Sequence, residues 1–218
     1  MKKILIIISF VICLASTFIV NGTTIQNNTK RIIIDAGHGG YDPGAVYFGK
    51  RECDLNLEIS MCLKMIFEEN GYIVSMTREE DIDLCENEFI KRNDLNKRIE
   101  LINGSQSMLC LSIHMNSFVD SQYHGAQVFY ASNNKENSIL ADKVMNNIKK
   151  IMKNTDRKPL VKDNIYMLKK ISIPTIIVEC GFMTNYDELK KLLDFNYQYL
   201  LCTSIFYGVE EYLMNNNP

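Results

Sequence analysis

Residues 31–40 read RIIIDAGHGG, and this stretch decides the fold. A continuous isoleucine run that ends in a glycine-rich turn is typical of a strand covered on both faces. Gly37, Gly39 and Gly40 allow a sharp turn and a close approach of the backbone to a ligand, because they carry no Cβ atom. The stretch therefore predicts a central strand that ends in a tight turn and presents His38 outward.

Strand and helix patterns alternate on the carboxyl side of this stretch. Apolar residues at helical spacing predict helices, and continuous apolar or β-branched runs predict strands. The predicted strands cover residues 72–77, 109–113, 127–131 and 175–178, and the predicted helices cover 54–70, 93–103, 137–152 and two short segments at the end of the chain. This order predicts an α/β fold: a single three-layer domain with a mostly parallel or mixed central sheet and helices on both faces.

The length, composition and charge predict one globular domain. The chain has 218 residues, of which 46% are hydrophobic and 23% are charged. Its formal net charge is -2, so it has no long-range attraction for a phosphate backbone. We therefore expect no nucleic-acid partner.

The amino terminus has the pattern of an export signal. Two lysines precede an uncharged apolar run over residues 4–20, and no clear Ala-x-Ala cleavage site follows it. A cleaved signal peptide and a retained signal anchor over residues 1–22 both agree with this pattern. We expect a polar linker over residues 23–30 and a catalytic domain over residues 31–214, outside the cytoplasm and in the membrane only through an uncleaved leader.

The seven cysteines do not predict a disulfide framework. Their number is odd, they are scattered, and none forms a Cys-x-x-Cys motif. Cys62, Cys110 and Cys202 fall at apolar positions of predicted elements, where free cysteine behaves as a small hydrophobic residue. We expect these three to be buried free thiols.

Three predicted strands lead into a residue that can bind a metal or transfer a proton: His38, His114 and Glu179. Active sites of open α/β sheets lie beyond the ends of the strands. Glu52, just ahead of the first long helix, is a fourth candidate on a loop long enough to fold back towards His38. The sequence therefore predicts one site at this edge of the sheet.

Two neutral imidazoles and one carboxylate form a known catalytic zinc set that leaves a fourth position for water. His38, Glu52 and His114 supply this set, although the spacing alone also allows Asp54 or Glu58 in place of Glu52. Glu179 is left for a separate role as general base and acid, because the leaving nitrogen of an amide needs a proton.

Two further polar residues near these motifs have competing interpretations. Asp35 either accepts a hydrogen bond from a zinc-binding histidine or stabilises the turn. The third histidine, His124, lies in a predicted loop and is interpreted as a turn residue or a substrate-groove residue, and the pattern favours the structural role.

The motifs IIIDAGHGGYDPGA, KRECDLN, MTR, SIHMNS and VECGFMTN, in this order, resemble those of the amidase-3 family, the zinc-dependent N-acetylmuramoyl-L-alanine amidases. The resemblance covers residues 31–213. It implies that His38, Glu52 and His114 bind Zn²⁺, which selects Glu52 over its alternatives, and that Glu179 is catalytic. It further implies hydrolysis of the amide bond between N-acetylmuramic acid and L-alanine in peptidoglycan. Ala36 and Arg51 depart from the family pattern without removing a catalytic atom.

Within the family, the chain is most similar to the germination-specific amidases of spore-forming bacteria. The acidic segment at 79–88 and the segment at 153–168 carry this likeness. It implies muramic-δ-lactam formation in the spore cortex with a partner deacetylase, and an accessory activating protein as a further partner. The alternatives are a vegetative autolysin and a zinc-binding wall module without turnover.

Overall fold

The structure is a computed structural model that describes residues 30–85 and 87–216. The predicted leader and nearly all of the predicted linker lie outside the described residues. In chain order the elements are β1 (Arg31–Ala36), β2 (Val46–Tyr47), β3 (Lys50–Arg51), α1 (Glu52–Glu69), β4 (Ile73–Met76), α2 (Lys91–Gly104), β5 (Cys110–Asn116), β6 (Gln127–Tyr130), α3 (Lys135–Met152), β7 (Leu160–Val161), α4 (Tyr166–Lys170), β8 (Thr175–Phe182), α5 (Tyr186–Leu192) and α6 (Phe195–Asn216).

Six of the strands form one sheet in the order β4-β1-β5-β8-β6-β7. The strands β4, β1, β5 and β8 run parallel, whereas β6 is antiparallel to β8 and parallel to β7. The predicted mixed α/β sheet is therefore confirmed. Because β1, β5 and β8 are adjacent and parallel, their carboxyl ends meet at the same edge of the sheet.

Both faces of the sheet are covered by helices, which confirms the three-layer prediction. Helices α1 and α3 pack on one face, and α6 packs against both of them. On the opposite face, Ile33 and Cys110 of the sheet pack against Ile102 of α2 and Met167 of α4. The isoleucine run of β1 is buried along its whole length because the chain covers it on both sides.

The structure differs from the predicted elements at several points. Helix α1 begins at Glu52, two residues earlier than predicted, directly after the short β2–β3 hairpin that the sequence pattern did not reveal. The short elements β7 and α4 were also not predicted. The final helix α6 spans 22 residues, so the prediction of two short closing helices is wrong for the second one. Helix α6 packs against α1, α3 and α5, so its apolar residues give no single periodic stripe.

All six cysteines within the described residues are free thiols. Cys62, Cys110 and Cys202 are buried, which confirms the prediction for these three. None of the helices formed by residues 30–85 and 87–216 is long and apolar enough to cross a membrane.

Candidate metal centre

Three side chains from three different segments converge at the carboxyl edge of the sheet. Nε2 of His38 lies 3.3 Å from Oε1 of Glu52, and Nδ1 of His114 lies 3.0 Å from the same oxygen. The three donor atoms are all within 4.8 Å of one another. One atom from each residue therefore faces a common point.

Glu52 is held in place by its position at the start of α1 and by hydrogen bonds to both of its oxygens. Oε2 accepts the backbone N–H of Ala45 at 2.9 Å, and Oε1 accepts that of Met115 at 3.2 Å. Burial alone would raise the pKa of Glu52, but the imidazoles of His114 and His38 outweigh it and hold the pKa well below its usual range. The carboxylate is therefore ionised, as a metal ligand must be.

His38 lies at the tip of the turn that follows β1, in a left-handed backbone conformation with φ of 61°. Its Nδ1 atom lies 2.9 Å from Oδ2 of Asp42, so both ring nitrogens face a carboxylate. Burial would lower the pKa of His38, but Asp42 and Glu52 outweigh it and raise the pKa to about 9. Asp42 thus orients the imidazole from the side that points away from Glu52 and His114.

Neither interpretation of Asp35 agrees with the structure. Asp35 is fully buried and accepts hydrogen bonds from Thr77, Arg98 and Ser112, at 2.7 to 2.8 Å, rather than from a histidine. Burial would raise the pKa of Asp35, but Arg98 and the two hydroxyl groups lower it to about 2. Asp35 is one half of a buried ion pair beneath the site, and Asp42 contacts His38 in its place.

The ring of His114 packs directly on the backbone at Gly37. A Cβ atom on Gly37 would lie 2.2 Å from Cε1 of His114, well inside van der Waals contact. Glycine is therefore required at position 37 to let the third donor approach the first.

Glu179 lies beside His114, because the two residues are register partners on the neighbouring strands β8 and β5. Its Oε2 atom is buried and has no hydrogen-bond partner among the described residues. Burial is the main cause that raises the pKa of Glu179 to about 7; the imidazole of His114 opposes this shift and the carboxylate of Glu52 adds to it. Glu179, His38 and His114 all line one cleft of about 230 Å³.

The carboxylates that the spacing left open as alternatives are turned to other partners. Asp54 accepts two hydrogen bonds from the guanidinium of Arg51, which also donates to Asp81. Glu58 is exposed and contacts Gln198. The departure at Arg51 therefore forms a surface ion-pair cluster and leaves the convergent donor atoms untouched.

His124 lies away from the three convergent donors. It lines an open groove of about 810 Å³ together with Tyr123 and Arg157. Its carbonyl oxygen accepts a hydrogen bond from Arg157.

Sequence reasoning missed three residues that shape the site: Asp42, Arg78 and Arg98. Both arginines are buried and donate to backbone carbonyls of the turn that carries His38. The MTR motif contains Arg78, but the sequence, in which Glu79 and Glu80 follow directly, does not reveal that this arginine contacts backbone carbonyls.

The chain is similar to known proteins along most of its length. The Amidase_3 profile, described as N-acetylmuramoyl-L-alanine amidase, matches residues 32–211. The germination-specific N-acetylmuramoyl-L-alanine amidase of Bacillus subtilis (strain 168) is 35% identical over 188 aligned residues, covering 84% of this chain and 79% of that protein.

Solved structures that share the fold include two clostridial amidases. The CwlD amidase of Clostridioides difficile, in complex with the GerS lipoprotein, superposes with a TM-score of 0.82 at 37% identity over 86% of this chain and 100% of that chain. An N-acetylmuramoyl-L-alanine amidase from Clostridium difficile 630 superposes with a TM-score of 0.78 at 30% identity over 87% of this chain and 100% of that chain.

Proposed function

This chain belongs to the family of N-acetylmuramoyl-L-alanine amidases, which hydrolyse the amide bond between N-acetylmuramic acid and L-alanine in peptidoglycan, and we propose that it does so with zinc. His38, Glu52 and His114 are the proposed ligands, and Glu179 is the proposed general base and acid. The observation that carries this proposal is the convergence of three donor atoms beside a buried carboxylate oxygen that has no partner among the described residues.

The donor set agrees with the chemistry of zinc. Two imidazole nitrogens and one ionised carboxylate oxygen are a known ligand set of catalytic zinc sites. Zinc bound by such a set supplies a water whose pKa is lowered to ~7, and it polarises a substrate carbonyl. Asp42 contacts the ring nitrogen of His38 that points away from the set, which is the usual arrangement around a metal-binding histidine.

Glu179 performs the proton transfers in this proposal. Its carboxylate takes a proton from the attacking water and later donates a proton to the nitrogen of L-alanine as the C–N bond breaks. The products are a lactyl carboxylate on the glycan and a stem peptide with a free amino terminus. The buried Oε2 atom is available for this role because no described residue forms a hydrogen bond with it.

We place the enzyme outside the cytoplasm, secreted or membrane-anchored at the cell wall or spore cortex. The likeness to a germination-specific amidase supports a role in muramic-δ-lactam formation in the cortex, where a partner deacetylase acts on the product. The structural likeness to an amidase solved with a lipoprotein supports an accessory protein as a further partner.

Mass spectrometry of digested peptidoglycan tests the reaction. The zinc-loaded enzyme is expected to release stem peptides with an L-alanine amino terminus. Acetate or D-alanine as the product would instead identify a different zinc hydrolase, and bound zinc without any product would identify a wall-binding module.

Muropeptide analysis of spores that lack this gene tests the cortex role. Loss of muramic-δ-lactam is expected. Spores with normal lactam content, together with a vegetative wall that turns over more slowly, would support the autolysin alternative.

A further inference from the structure

Arg78 is a buried cation that is bonded only to the backbone. The residue is 3% exposed, and its guanidinium donates hydrogen bonds to the carbonyl oxygens of Ala36, Gly37, Cys53 and Glu80, at 2.8 to 3.0 Å. No ion pair to a carboxylate is found for it within residues 30–85 and 87–216. A buried charge without a counter-ion costs free energy even when its four hydrogen bonds are well formed. The presence of an arginine at this position therefore requires an explanation.

The second buried arginine beneath the site shows the contrast. Arg98 pairs with the carboxylates of Asp35 and Asp94 at 2.8 and 2.7 Å. It thus has the counter-ions that a buried guanidinium ordinarily has. Arg78 lies close to it without such partners, and its repulsion by Arg98 contributes, after burial, to a lowered pKa.

The hydrogen bonds of Arg78 join the segments that carry two of the three convergent donors. A single atom, Nη2, donates to the carbonyl of Gly37 at 3.0 Å and to that of Cys53 at 2.8 Å. Gly37 directly precedes His38, and Cys53 directly follows Glu52. One planar group therefore fixes the separation between a turn after β1 and the first turn of α1.

The turn around His38 is also packed against the Arg78 side chain. A Cβ atom on Gly39 would lie 2.8 Å from Nε of Arg78. The backbone of Gly39, which directly follows His38, therefore passes close to the guanidinium. His38 has a left-handed backbone conformation, which costs a non-glycine residue free energy and persists only where its surroundings fix it. Arg78 contacts the residues on both sides of this strained position.

Asn56 provides a second tie between the same two segments. Its Nδ2 atom donates to the carbonyl of Gly37 at 3.0 Å and lies 3.4 Å from Oε1 of Glu52. The carbonyl of Gly37 thus accepts from both Arg78 and Asn56, and it lies at the centre of the connection between the His38 turn and α1.

We propose that Arg78, assisted by Asn56, is a positioning residue that preforms the metal site by fixing His38 relative to Glu52 before the metal binds. This inference rests on the proposed ligand set of His38, Glu52 and His114. The planar guanidinium reaches several carbonyls at fixed angles, which the ammonium of a lysine does not, so Arg78→Lys keeps the charge and removes the geometry.

Metal affinity measured separately from activity tests the proposal. Co²⁺ is titrated into the metal-free protein and followed by its absorption spectrum, and Zn²⁺ affinity is measured by competition with a chelator. We expect Arg78→Lys to bind both ions roughly 10- to 100-fold more weakly than wild type, the range for residues that orient metal ligands. Asn56→Ala is expected to show a smaller loss and serves if Arg78→Lys does not fold.

Ile205→Ala is the matched control for stability, because Ile205 is fully buried in α6 and lies outside the metal site. It is expected to lower Tm without changing metal affinity. If the Arg78 or Asn56 variant lowers Tm but binds Co²⁺ and Zn²⁺ as tightly as wild type does, these residues are only structural and the inference is overturned. If wild type itself binds neither ion, the proposed ligand set fails instead.

Discussion

The turn that carries His38 and the strand end that carries Glu179 lie at the same edge of the sheet but are built in opposite ways. At the turn, the carbonyls of Ala36, Gly37 and His38 all accept hydrogen bonds from buried arginines, and both imidazole nitrogens face carboxylates. At the strand end, the Oε2 atom of Glu179 is buried without a partner among the described residues.

This difference agrees with the two roles proposed for these residues. A metal ligand has to be fixed in place, because each donor must meet the others at one point. A group that transfers protons has to be free to bond to water and substrate. The first region is therefore expected to respond to mutation through metal binding, and the second through turnover alone.

Removal of a proposed ligand is expected to have the largest effect. His114→Ala should lose both bound zinc and activity, because the two remaining donors, His38 and Glu52, are too few for the predicted catalytic set. Metal content by elemental analysis and release of stem peptides measure the two losses. His124→Ala is the matched control and should keep both. Unchanged zinc in His114→Ala would show that the ligand set is wrong.

Removal of Glu179, the proposed proton-transfer group, should reduce activity and nothing else. Glu179→Gln is expected to lower kcat by roughly 10²- to 10⁴-fold, because general acid–base catalysis contributes about that much. Zinc content and Tm should stay at the wild-type values, since Oε2 has no described partner to lose. Glu58→Gln on the surface is the control. Full turnover by Glu179→Gln would overturn the general-base assignment.

A smaller effect is expected from a change at Asp42, which orients the His38 ring. Asp42→Asn should weaken zinc affinity by roughly 10- to 100-fold, because the amide is a weaker acceptor for the imidazole N–H. Chelator competition measures the affinity, and the exposed Asp187→Asn is the control. Equal zinc affinity in the two variants would mean that the contact between Asp42 and His38 has no effect on the metal.

Much of the site could be predicted because of a property of parallel sheets. His38, His114 and Glu179 each follow a strand, and the carboxyl ends of adjacent parallel strands meet at one edge. The isoleucine-rich composition of a strand such as β1 also predicts that it is a buried strand. The order of residues alone therefore predicts which edge of the sheet carries the candidate site.

The partners of these residues could not be predicted, because folding places them through long-range contacts. The ion pair of Asp35 with Arg98 joins residues 63 positions apart. Asp42 reaches the imidazole because the chain reverses between Gly39 and Asp42, which form an antiparallel bridge. Glu52 could not be distinguished from Asp54 by spacing, since a hairpin with two residues in each strand sets where α1 begins.

The smallest expected effect concerns the pH dependence of stability beneath the site. The pKa of Asp35 is about 2 in the folded protein, compared with about 3.9 for an unfolded aspartate. The unfolded state therefore binds more protons between these values, and the stability that Asp35 provides is fully present above about pH 5 and decreases as the pH falls through 4 towards 2. A single group with this shift loses about 1 kcal/mol per pH unit across that window.

Urea unfolding of wild type and Asp35→Asn between pH 5 and pH 2.5 tests this expectation. The variant should be less stable throughout, because the guanidinium of Arg98 stays buried with one counter-ion fewer, but its stability should decrease less steeply below pH 4. Equal slopes for the two proteins would show that the ion pair between Asp35 and Arg98 does not determine the acid response of the fold.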